Sequence, residues 1–187
     1  MKWTLPGTVL TRDREEAKYI ENQFSAMFLG GGIALSQICG ITGLEPYTVQ
    51  NWVKRGFLPP PDHKRYNLNQ LCRIININML KRTLLMEQIV ALIGYINGSL
   101  TDTSDDIIDD SRLYFMFVKL ASTKPSLRDP SEADASIEAL LQDYIEPVPG
   151  AKERVAKVLK VMLTAWVAAR LHESANKMET LSGYFHA

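Results

Sequence analysis

Very little in this chain names a chemistry outright. Its formal net charge is zero, so bulk charge selects no partner. It has two cysteines, Cys39 and Cys72, too few for a disulfide scaffold. Both fall on apolar helical faces, where small core residues are expected, and a reduced, cytoplasmic protein is the simple inference. No apolar run approaches the roughly 20 residues needed to span a bilayer, so no membrane contact is expected. The opening stretch MKWTLPGTVL is too short and interrupted for a secretory signal. No strand pattern carries a Gly-rich phosphate loop, and His172 and Glu173 have no nucleophile beside them. Neither an enzyme nor a cofactor is expected.

What is present is material for a helical core. Hydrophobic residues make up 46% and charged residues 22% of 187 residues, a globular balance with room for one large or two small domains. The apolar spacing predicts helices over 13–29, 35–41, 46–55, 67–80, 83–97, 107–121, 131–144 and 151–178. Ser36 is the expected N-cap of the second, and Ser104 that of the sixth. Gly30, Gly31 and Gly32 break the first helix as a turn or hinge. Pro147-Val148-Pro149-Gly150 breaks the chain before the last helix. That helix is apolar on nearly every side between 158 and 169, which predicts burial on several faces or sharing between two subunits. Tyr114, Phe117 and Trp166 read as core aromatics, with a small-molecule effector pocket as the alternative.

The zero net charge conceals an asymmetry. Between Ser36 and Arg82 stand seven basic residues and two acidic ones; between Leu100 and Glu146 stand four basic and eleven acidic. A basic segment of this kind points to an anionic partner. For Arg73, Lys81 and Arg82 the plain alternative is a solvated helix face. Asp105 with Asp109, and Asp106 with Asp110, share faces at a helix start. A cation could use that spacing, but a solvated end favoured by the helix dipole is the simpler reading, and no metal is expected.

The basic segment has internal order. In TGLEPYTVQNWVKRGFLPPPDHKRY, a glycine turn joins two short helices, and Pro46 suits the first turn of the second. Val49, Trp52 and Val53 face inward. Tyr47, Thr48, Gln50, Asn51, Lys54 and Arg55 remain for outside contacts. Gln and Asn can pair with adenine, and Lys and Arg with guanine or phosphate. Gly56 ends the helix, three prolines extend the chain, and His63, Lys64 and Arg65 follow on a loop suited to phosphate or the minor groove. Tyr66 would touch phosphate or pack on the recognition helix.

From Leu35 to Ile93 this order resembles the winged-helix domain of the MerR family of bacterial regulators. Leu35, Ser36 and Ile38 match its opening and Thr42-Gly43-Leu44 its turn. Gly56-Phe57-Leu58-Pro59 match the next segment, and Lys64-Arg65-Tyr66 the wing. Leu71, Arg73 and Ile74 match the following helix, and Met86-Glu87-Gln88-Ile89 the last. The family usually has arginines at the places of Tyr47 and Gln50, and tyrosine and glutamate at those of Asn51 and Val53, so the departures imply either weaker direct contacts or a different sequence read. Metal-sensing members carry cysteines near the C-terminus, and this chain has none after Cys72. The added first helix and acidic helical half look more like domain of unknown function 1836.

The expected fold is thus all-α with a minor β wing. Residues 1–33 form a helix and linker, 34–99 a winged helix-turn-helix, and 100–187 a helical bundle for dimerisation or regulation. The expected function is double-stranded DNA binding by a homodimer that regulates transcription, with Tyr47, Thr48, Gln50, Asn51, Lys54, Arg55, His63, Lys64, Arg65 and Tyr66 at the DNA. Two alternatives remain: an excisionase-type accessory that shapes DNA, and a protein-interaction module that keeps the fold and has lost the duplex.

Overall fold

The computed structural model describes residues 2–98, 105–123 and 130–182. The chain begins with a hairpin that the sequence did not announce. Strands β1 (Lys2–Thr4) and β2 (Thr11–Asp13) pair antiparallel, with Trp3 opposite Arg12. Trp3 is buried while Lys2 and Thr4 are exposed, the alternation of a two-faced ribbon. At its turn Gly7 has φ +71°, and a Cβ there would lie 2.4 Å from the Ile75 carbonyl oxygen. Only glycine allows so close an approach in that conformation. The Tyr114 hydroxyl donates to the Pro6 carbonyl at 3.1 Å, and the Asn78 amide donates to the Gly7 and Thr42 carbonyls. The expected first helix is split: a 3-10 helix over Arg14–Tyr19 precedes α1 (Ile20–Met27). Leu29 lies beyond the helix and is exposed.

After the glycine turn, β3 (Ile33–Ala34) runs straight into α2 (Leu35–Thr42). The N-cap is Ala34, two residues before the expected Ser36. Ser36 lies inside the helix, and the Gln37 side chain instead accepts from the Ala34 N–H at 2.9 Å. Gly43 at φ +70° ends α2, and α3 (Pro46–Lys54) starts after a three-residue turn with Pro46 in its first position. Val49 and Trp52 anchor α3 in the core. Strand β4 (Arg65–Tyr66) returns to pair with β3, Ile33 opposite Tyr66 and Ala34 opposite Arg65. Asn67 then caps α4 (Leu68–Leu80) in a reciprocal pair of 2.8 Å hydrogen bonds with Gln70.

Helix α4 is the centre of the molecule. Leu71, Cys72, Ile74, Ile75, Ile77, Met79 and Leu80 are all buried, because α2, α6 and α8 each cover a different side. Helix α5 (Met86–Asn97) starts three residues later than predicted, behind Leu85 as N-cap. Helix α6 (Asp110–Ser122) likewise starts behind Asp109; the expected cap Ser104 lies outside the described residues, as do 124–129 between the expected sixth and seventh helices. Helix α7 (Pro130–Leu140) stops short of the predicted Tyr144, and α8 (Ala151–Ser182) runs unbroken.

One hydrophobic cluster spans Trp3 to Ala165 and crosses the segment where the sequence suggested a domain boundary. Tyr114 and Phe117 are fully buried in it. Phe117 and Trp3 each meet Trp166 edge-on, at 6.1 Å and 6.4 Å between ring centroids. Helix α8 buries Val155, Val158, Leu159, Met162 and Leu163, but leaves Val161 and Ala168 exposed. Within this chain it is therefore not covered on every side.

Candidate nucleic-acid interface

Helix α2 carries both parts of the candidate surface. It receives β3 at one end and hands over to α3 at the other. Helix α3 lies on α2 through Val49 and Trp52, so its opposite side faces solvent. There Tyr47, Gln50, Asn51, Lys54 and Arg55 are exposed and Thr48 is half-buried. Among the described residues, none bonds or pairs with the side chains of Tyr47, Gln50, Asn51 or Lys54. The Arg55 guanidinium lies over the Phe57 ring, 4.7 Å from its centroid, which holds this cation at the end of α3.

The second part is the turn leading into β4. The Arg65 N–H donates to the Asp62 carbonyl at 2.7 Å, closing a turn whose two central residues, His63 and Lys64, have φ +44° and +63°. Such turns favour Gly or Asn, and here two ordinary side chains hold the strained conformation at an exposed tip. His63 Nδ1 lies 2.7 Å from the Asp62 carboxylate. Arg65, also exposed, donates to the Gly32 carbonyl at 3.2 Å. The prolines before the turn are pinned from below, since the Gln70 amide donates to the Pro59 and Pro60 carbonyls at 3.1 and 3.0 Å.

Tyr66 separates from its neighbours. The residue is only 4% exposed, and burial, with a smaller contribution from Cys39, raises its hydroxyl pKa. It is thus a core residue, paired across the ribbon with Ile33. Cys72 is buried as expected; Cys39 is half-buried instead, and both thiols are free.

The other basic residues of this segment divide. Lys81 is exposed, with its ammonium 5.5 Å from the centroid of Trp52; burial and Arg82 lower its pKa. Arg82 pairs with Glu173 of α8. Arg73 is neither a solvated face nor an exposed cation. It is 1% exposed, and its Nε donates to Asp110 Oδ2 at 2.8 Å. Asp110, expected at a solvated helix end, is buried with it, and burial outweighs the pull of Arg73 to push its pKa up to about 7. The sequence hint was the run Leu71-Cys72-Arg73-Ile74-Ile75, which leaves an arginine no polar side to occupy.

Residues 32–117 match a domain of unknown function, DUF1836. The matched stretch opens at Gly32, contains both parts of the surface and ends within α6. It therefore joins the basic segment to the start of the acidic one. Over 158 residues the chain is 20% identical to "Uncharacterized protein YkrK" of Bacillus subtilis (strain 168), covering 78% of this chain and 68% of that protein. No solved structure matches significantly. Among the described residues, no helix is long and apolar enough to cross a membrane.

Proposed function

We propose that this protein is a cytoplasmic, dimeric DNA-binding regulator of transcription, built on a MerR-like winged helix-turn-helix. In this reading α3 enters the major groove, with Gln50, Asn51 and Thr48 choosing bases and Tyr47 beside them. Lys54, Arg55, Lys64 and Arg65 contact phosphates, and His63 lies with the wing tip on the backbone. Tyr66 serves by holding β4 in the core. The observation that carries the reading is the joint exposure of α3's polar face and the basic turn: α6 and α8 of the acidic half pack on α4, and the described residues leave that face open. The exposed Val161 and Ala168 strip of α8 is a place for a second subunit.

The experiment is selection of bound fragments from genomic DNA. The expected motif has two half-sites about 34–36 Å apart, or a multiple of that. Gln50→Ala and Asn51→Ala should change the selected bases, whereas Lys54→Ala should weaken all fragments alike. Recovery of no enriched fragment would sink the proposal.

A further inference from the structure

Beneath the Asp62–Arg65 turn lies a cavity of about 610 Å³, within the usual range of about 300–1,000 Å³ for small-molecule sites. Phe28, Pro59 and Leu68 give it apolar walls, and the buried Arg73 and Asp110 stand at its inner end. Asp110 spends Oδ2 on Arg73, while its Oδ1 is a buried acceptor with no hydrogen-bond partner among the described residues. Such an acceptor is costly to leave unmatched. Two of the lining side-chain amides donate elsewhere: Gln70 to Pro59 and Pro60, and Asn69 to Asp109 at 3.4 Å. The lining charges also balance, Arg73 against Asp110 and Arg65 against Asp62. A cation would meet Arg73, and an anion would meet Asp110, so a neutral ligand suits the space best.

We propose that this cavity binds a neutral, planar small molecule whose amino or amide N–H donates to Asp110 Oδ1 while its ring lies among Phe28, Pro59 and Leu68. The site goes beyond the DNA reading and does not depend on it.

The test is a titration of the ¹⁵N-labelled full chain with 2-aminopyrimidine, with pyrimidine, which has no N–H donor, as the control. Saturable shifts are expected at the backbone amides of Gly31, Gly32, Asn69 and Gln70. The amino compound should bind about tenfold more tightly, the worth of one hydrogen bond to a buried carboxylate. Leu68→Trp, which fills the cavity, should abolish the shifts. Phe28→Ala, at a half-buried position, should weaken them several-fold and serves if the tryptophan variant does not fold. Equal affinity for the two compounds, or no saturable shift at these amides, overturns the proposal.

Discussion

Arg73 Nε and Asp110 Oδ2 meet at 2.8 Å with side chains only 2% and 5% exposed, joining α4 to α6 inside the core. The pair places one charged residue of the basic segment and one of the acidic segment almost wholly out of solvent. Part of the charge asymmetry is thus spent on holding the two halves together.

Arg73→Met should therefore leave a buried carboxylate without its guanidinium and cost about 3–5 kcal/mol, read by urea denaturation near pH 8. Adding Asp110→Leu should restore most of that loss, because two apolar side chains need no partner. Equal stability of the single and double variants would show that the pair is not coupled.

The pH dependence has a definite sign. Asp110 titrates at about 7 in the folded protein, against a carboxylate value near 3.9 in an unfolded chain, so the folded state holds this proton more tightly. Its contribution is fully present below about pH 4 and is lost as pH rises through about 7. Stability measured relative to Asp110→Asn should decline over that window. A flat difference would contradict the raised pKa.

The Asp62–Arg65 turn carries strain at its two central residues. His63→Asn with Lys64→Gly should relieve it and stabilise the fold by about 1–2 kcal/mol, measured by thermal or urea unfolding. If the turn touches DNA, the same variant should bind duplex more weakly. Stabilisation with undiminished DNA affinity would remove the turn from the interface.

Gly7→Ala would drive a Cβ onto the Ile75 carbonyl in a backbone conformation that alanine disfavours. A loss of at least about 1 kcal/mol is expected. Because the hairpin holds Trp3 against Trp166, tryptophan fluorescence should shift with the unfolding curve.

Strong local signals made α2, α3 and α4 legible in the sequence. Pro46 opens α3 and Gly56 follows it; Gly43 ends α2; Asn67 starts α4. The β1–β2 hairpin was not legible, since its strands have three residues each, too few for an alternation to register. Ser36 failed as a cap because Gln37, one residue on, satisfies the Ala34 N–H from the third helical position. The exposed residues of α3 followed from helical spacing, and those of the turn from the glycine and prolines that precede it. Tyr66 and Arg73 did not: the apolar run around Arg73 hints at burial, but its partner Asp110 comes from a distant helix, and nothing local marks Tyr66 as core. The unpartnered Asp110 oxygen is a tertiary fact: residue 110 meets the cavity only once α6 has packed on α4.

The most direct measurement is the salt dependence of binding to duplex DNA, for the natural protein and for Arg55→Ala and Lys64→Ala. Each phosphate contact should add about −0.9 to the slope of log affinity against log salt, so each substitution should flatten the slope by about that amount. If the protein fails to bind duplex even at low salt, or if both substitutions leave the slope unchanged, α3 and its neighbouring turn do not form a DNA-binding surface.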